Sequence, residues 1–189
     1  MVQHLRRVMT APTAAWWICA TALLAVVLGV SPAVAAGVRY QAPDGSWELS
    51  YPQGWEVVGS RDGRAVAFVA PAVAVGQARL RPSLVVSALV MPAGLAEAAV
   101  KQVATQAVTQ GMPGAVLLGE ETITAADGGV VWIRYYAVPA QQAPPLYLVV
   151  GIAIRGRLYV LLGVTSSALP DYRQQAALYR AMVASFRGR

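Results

Sequence analysis

A chain of 189 residues, 57% of them apolar, with 15 basic and 9 acidic side chains, has the material for one globular domain and a short leader. Its only cysteine, Cys19, and its only histidine, His4, both fall within the first 36 residues. Beyond that point composition alone excludes disulfides, cysteine–histidine zinc sites and histidine-based catalysis.

The leader has three parts that match a secretory signal. Arg6 and Arg7 form a positive start, and an uncharged apolar stretch runs from Ala14 to Val30. Ser31-Pro32 then breaks any helix, and Ala33-Val34-Ala35 supplies the small residues of a peptidase site. Residues 1–36 are therefore expected to direct export, with cleavage after Ala35 or Ala36; an uncleaved membrane anchor is the alternative. Residues 37–189 form one domain. That part keeps 13 basic against 9 acidic residues, spread without runs, which gives no nucleic-acid signature.

The domain begins with a short strand at Val38 to Tyr40, a Pro43-Asp44-Gly45 turn, and a strand from Ser46 to Tyr51. Tyr51-Pro52-Gln53-Gly54-Trp55 interrupts it, and Glu56–Gly59 with Arg64–Ala70 reads as a hairpin around Asp62-Gly63. Pro71 to Arg81 has no clear periodicity and reads as an irregular excursion. Its arginines, Arg79 and Arg81, are the candidate partner contacts. Ser83 to Met91 is an apolar strand. A helix is expected from about Leu95 to Gln110, burying Leu95, Ala99, Val103 and Ala107 and turning Glu97, Lys101, Gln102 and Gln106 to water.

Strands follow at Ala115–Thr124, Val130–Val138, Leu146–Ile154 and Arg157–Thr165, joined by Asp127-Gly128-Gly129, a Pro139–Pro145 loop and Arg155-Gly156. The last two carry almost no polar residues, so both of their faces need a cover. A final helix from Pro170 to about Phe186 buries Tyr172, Ala176, Tyr179, Val183 and Phe186, with Arg173, Gln174 and Arg180 outside. The expected fold class is α+β: an α/β/α sandwich in which a mostly antiparallel, meandering sheet is covered by the two helices.

Three features in this order resemble the PsbP-like superfamily, which includes the extrinsic photosystem II protein PsbP and the bacterial periplasmic DcrB-type proteins. They are Tyr-Pro-x-Gly-Trp at 51–55, the strand Gly128 to Tyr136 after the middle helix, and the terminal helix ending in Ser185-Phe186. The resemblance covers about Val38 to Phe186. It implies the same layered fold and a non-catalytic role in binding or assembly, at the cell envelope or, alternatively, beside a photosynthetic complex in a thylakoid lumen.

The residues themselves narrow the chemistry further. Lys101, the only lysine, has no serine three residues before it, and neither a P-loop nor a dinucleotide-binding glycine pattern occurs. No catalytic, cofactor or metal residues are assigned, and no nucleic-acid partner is expected. The expected partner is an envelope or membrane-associated protein of unspecified identity. A carboxylate-dependent hydrolase remains formally open through the nine acidic residues. Glu120 and Glu121, the adjacent pair, should point to opposite faces of their strand. Trp47, Trp55, Trp132, Tyr135, Tyr136, Tyr147 and Tyr159 read as sheet packing. A carrier of small apolar ligands would need them to line a cavity of about 300 Å³ or more.

Overall fold

The computed structural model describes residues 37–60, 64–75, 78–91, 96–139, 145–169 and 171–189. The expected export segment lies outside the described residues, as do the Asp62-Gly63 turn, Leu95 and Pro170.

In chain order the strands are β1 (Val38–Gln41), β2 (Trp47–Tyr51), β3 (Glu56–Gly59), β4 (Ala65–Val69), β5 (Val73–Val75), β6 (Ala78–Leu80) and β7 (Ser83–Leu89). Helix α1 (Glu97–Gly111) comes next, then β8 (Val116–Thr124), β9 (Val130–Val138), β10 (Leu146–Ile154) and β11 (Leu158–Ser166). Helix α2 (Tyr172–Ala184) and the short β12 (Arg187–Gly188) end the chain. The fold is α+β, and the main sheet is antiparallel throughout, in the order β3-β4-β7-β11-β10-β9-β8. Helix α1 carries the chain from β7 to the far edge at β8. From there β9, β10 and β11 meander back until β11 pairs with β7. A second sheet, β1-β2-β12, closes around the chain terminus.

One face of the main sheet is packed by α2 and the small sheet. Phe68, Leu84, Ile133, Tyr159 and Leu161 meet Tyr179, Val183 and Phe186 there, all of them buried. Helix α2 sits close because β11 carries a glycine under it. A Cβ at Gly163 would come within 2.7 Å of the Tyr179 ring. Tyr179 also donates its hydroxyl to the Val164 carbonyl at 2.6 Å, so the buried oxygen is satisfied. Phe186 follows the helix rather than ending it, and its ring packs against Trp47 and Tyr159 at 6.3 and 5.1 Å between centroids. Burial of such a side chain stabilises by roughly 1.5–3 kcal/mol.

The opposite face is covered only in part, by α1. Its buried cluster is small, Tyr136, Leu148 and Val150, and the β11 residues Val160, Leu162 and Val164 are partly buried beside it.

Three features depart from expectation. The 71–81 segment is a hairpin, with Val73 opposite Leu80 and Ala74 opposite Arg79. Its alternation is too short to stand out in the sequence. The small sheet was not foreseen, because β12 is two residues long. Helix α1 is rotated from the expected stripe: Val100 is buried, whereas Val103 is 57% exposed. Polar contacts turn it. Lys101 lies over the Trp132 ring at 5.7 Å, and Thr105 accepts a hydrogen bond from Arg134 at 2.7 Å, so that flank faces the sheet. Arg180 of α2 is exposed, as expected, and from there it binds Glu121 through two nitrogens at 2.8 and 2.9 Å.

Candidate functional site

The acidic residues come first, since any hydrolytic chemistry would run through them. Asp62 lies outside the described residues; each of the other eight has a partner. Glu48 is paired with Arg39 and Arg187, Glu56 with Arg81, Glu97 with Lys101, and Glu120 with Arg134. Asp171 accepts from the Gln175 amide at 3.2 Å. Asp127 is held most fully, by a two-pronged contact from Arg155 at 2.9 and 3.1 Å and by the amides of Gly129 and Gly188. Burial raises its pKa, but the Arg155 and amide hydrogen bonds and the Arg155 charge outweigh that and bring it down to about 2. This clasp ties two hairpin turns to the chain terminus, and Arg155 lies directly over Gly129, where a Cβ would meet the guanidinium.

Glu121 accepts from Arg180 and from the Tyr135 hydroxyl, and its carboxyl is lowered chiefly by the Arg180 hydrogen bond. Glu120 reaches Arg134 on the α1 side while Glu121 reaches α2, so the adjacent pair does point to opposite faces. Asp44 is lowered first by the Ser46 hydroxyl, which donates to it at 2.6 Å, as its turn position led one to expect. A general acid needs a raised carboxyl. Every described carboxylate with a resolved shift moves the other way. Among the described residues no group of three histidine, cysteine, aspartate or glutamate side chains is placed to hold a metal ion.

Two concavities have Leu89 in their lining, one on each face of the sheet. The first is a cleft of about 590 Å³ at the end of β4 and β7, with Trp47, Val66 and Ala88 as apolar wall and Asp44, Ser46, Arg64 and Arg157 as polar groups. Arg157 pairs with Asp44 at 3.1 Å, both side chains about half exposed. The second is a trough of about 310 Å³ between α1 and the sheet, lined by Leu89, Leu158, Val160 and Leu162 below and by Val103, Ala107, Gly111 and Met112 above. Its cause is local: alanine and glycine on that flank of α1 are too small to fill the gap over β11. The other flank of α1 opens a polar groove of about 490 Å³. There the Trp132 ring carries Arg134 at 4.0 Å, and Arg134 in turn holds Glu120 and Thr105.

The aromatic residues mostly pack as expected. Trp47 and Tyr159 belong to the core, Trp55 meets Tyr179 at 6.3 Å, and Tyr135 meets Tyr147 at 6.3 Å. The trough reaches the size expected of an apolar-ligand cavity, but its lining is aliphatic. Of the two candidate contact arginines, Arg81 braces the base of the hairpin by binding Glu56 at 2.7 Å and the Ala70 carbonyl at 3.2 Å. Arg79 is exposed on β6 and makes no ion pair among the described residues. Nothing in the sequence marks Arg64, Leu89 and Arg157 as lining one cleft. Each sits at a strand end or turn far from the others in the chain, where no local pattern brings them together.

No family model and no curated protein matches the sequence. Solved structures do match. Cyanobacterial PsbP (CyanoP) from Synechocystis sp. PCC 6803 superposes with a TM-score of 0.59 at 20% identity, covering 86% of this chain and 99% of that one. PA94 from Pseudomonas aeruginosa, a protein of unknown function described as a putative regulator, gives 0.51 at 20% identity over 77% and 93%. LpqN from Mycobacterium tuberculosis, described as involved in cell envelope biogenesis, gives 0.52 at 14% identity over 79% and 83%. The chain therefore has the PsbP-like fold. At these identities the likeness is one of architecture, and architecture does not fix function.

Proposed function

We propose that this chain is an exported, non-catalytic binding or assembly accessory protein of the cell envelope. The observation that carries the reading is the state of its carboxylates: each described one is committed to a partner, and the resolved shifts run against acid catalysis. Export is supported by the Arg6-Arg7, apolar and Ala33-Val34-Ala35 sequence of the leader, and by a fold shared with an envelope-biogenesis protein. Among the described residues no helix is long and apolar enough to cross a membrane. On this reading the β5–β6 hairpin is a partner-facing projection, with Arg79 the contact and Arg81 its brace.

N-terminal sequencing of the protein recovered outside the cytoplasm tests the reading. The expected first residue is Ala36 or Gly37; a chain retained in the cytoplasm with Met1 in place overturns it. In a co-purification from the envelope, Arg79→Glu should lower the yield of the partner. Arg79→Glu that leaves the yield unchanged removes the hairpin from the contact.

A further inference from the structure

We propose that the outer edge of β8 is a self-association surface, on which a second copy of this chain adds its own β8 antiparallel, with Leu117 facing its counterpart. The inference goes beyond the reading of the hairpin as a partner contact and concerns the other end of the sheet.

The main sheet ends at β3 on one side and at β8 on the other. An end strand keeps a row of amide and carbonyl groups outside the ladder, and natural edges are guarded by being short, charged or covered. Strand β3 is guarded: it is four residues long and opens with Glu56, which Arg81 holds at 2.7 Å. Strand β8 is nine residues long and, among the described residues, pairs only on its β9 side. The helices lie inward of it, α1 against β10 and α2 against β10 and β11. Its first half is also apolar where a solvated edge would be polar. Val116, Leu117 and Leu118 are 56%, 46% and 55% exposed, three large aliphatic side chains in a row. Leu118 has no cross-strand partner, because the pairing with β9 steps from Leu117–Tyr136 to Gly119–Tyr135.

The occupant follows from what this edge requires. Its backbone asks for another strand, and its side chains ask for an aliphatic one without charge. The chain itself carries such a strand. Ala115-Val116-Leu117-Leu118-Gly119 runs small, aliphatic, aliphatic, aliphatic, small, the same in either direction. Laid antiparallel on its copy about a two-fold axis at Leu117, it sets Val116 against Leu118 and Ala115 against Gly119, a self-complementary contact. An axis at the middle of the strand would instead oppose Glu120 to itself, and like charges directly opposite are unfavourable. In the Leu117 register Glu120 falls opposite Gly114, past the apolar run, and keeps its own Arg134 at 3.0 Å. The carboxylates therefore confine the pairing to the apolar half of β8. So short a contact falls below the standard interface of about 1,200–2,000 Å², which makes the dimer reversible. The Arg81–Glu56 pair ties each β5–β6 hairpin to β3, so the two hairpins stand at the outer ends of the joined sheet.

The test is analytical ultracentrifugation of the full-length chain over a dilution series into the high micromolar range. Leu117→Lys places a charge on the axis, and Val58→Lys, at a position 52% exposed on the opposite edge, is the control. Thermal melts of both variants should match the parent. The expected result is a reversible monomer–dimer equilibrium in the parent, weakened roughly tenfold or more by Leu117→Lys, whose charge meets its own copy, and unchanged by Val58→Lys. A second measurement reads the register. In a Cys19→Ser background, which removes the only native cysteine, Leu117→Cys should form a disulfide-linked dimer under a mild oxidant and Val58→Cys should not. Directly opposite Cβ atoms, about 4.5–5.5 Å apart, are close enough for that bond after a small shift. A parent that stays monomeric at every concentration overturns the proposal. A dimer indifferent to Leu117→Lys places the association elsewhere in the chain and overturns it too. Leu117→Cys that stays unlinked, or links no faster than Val58→Cys, overturns the register. Recovery of a partner through Arg79 is read separately, so either result can fail while the other stands.

Discussion

On one face of the central sheet, Tyr179, Val183 and Phe186 exclude solvent completely; on the other, Val103 of the facing helix is more than half exposed. Both helices lie over the same two strands, β10 and β11, so the strands are not what separates them. The difference is in the side chains each helix sends down. Helix α2 brings Leu178, Tyr179, Met182 and Val183, and a glycine in β11 lets its tyrosine sit against the backbone. Helix α1 brings valine, alanine and glycine, and is anchored by polar contacts from Lys101 and Thr105. The first arrangement makes a core and the second leaves a trough. A sheet with one closed and one half-open face can be stable on the first and still have a surface available for binding on the second.

The largest expected effect is on the closed face. Phe186→Ala should cost about 3–5 kcal/mol, the usual range for a buried phenylalanine, and urea melts measure it. Gln174, exposed on α2, is the control and should change stability by less than about 0.5 kcal/mol when replaced by alanine. Arg180 would be a poor control because it holds Glu121. If Phe186→Ala melts like the parent, the closed face is not the stabilising one.

A pair of glycines sharpens the contrast. Gly163→Ala pushes a methyl group into the Tyr179 ring and should destabilise by about 1–3 kcal/mol through overpacking. Gly111→Ala, at the end of α1, meets nothing within 4 Å and should be neutral or stabilising by up to about 1 kcal/mol through helix propensity. Equal effects at the two positions would erase the distinction between the faces.

The Asp127 clasp makes the closed face pH-sensitive. Its carboxyl falls from 3.8 to about 2 on folding, so its contribution is complete above about pH 4 and is lost as the pH falls toward 2. Asp127→Asn should therefore cost about 1–2 kcal/mol at pH 7, a figure reduced from the full shift because the turn is at the surface. The gap between variant and parent should close near pH 2. Paired urea melts at the two pH values check this, and a gap that persists in acid would move the clasp's contribution from charge to shape. The smallest effect belongs to the open face. Val103→Ser should change stability by less than about 0.5 kcal/mol, and a larger loss would mean that α1 is packed more tightly than its exposure indicates.

Within the described residues, most of the architecture was legible in the chain. Strands β7 to β11 fall within a residue or two of their expected bounds, because alternation and turn dipeptides such as Asp127-Gly128 and Arg155-Gly156 act locally. The stripe of α2 was legible for a similar reason: Tyr179 and Val183 are large and apolar, and only one face of the helix holds them. Helix α1 misled because alanine gives almost no contrast between faces. Its rotation was set by Lys101 over Trp132 and by Thr105 with Arg134, which are 31 and 29 residues apart in the chain.

The site was less legible than the fold. By itself the sequence determined the class of fold, the absence of histidine and cysteine chemistry beyond the leader, and which strands would be apolar; composition and short-range periodicity are enough for these. Only the tertiary structure decided that each described carboxylate would meet a partner, that β12 would close a second sheet, and that Arg64, Leu89 and Arg157 would come together. Those outcomes depend on strand order and helix rotation, which bring distant residues together, and no local pattern carries that information.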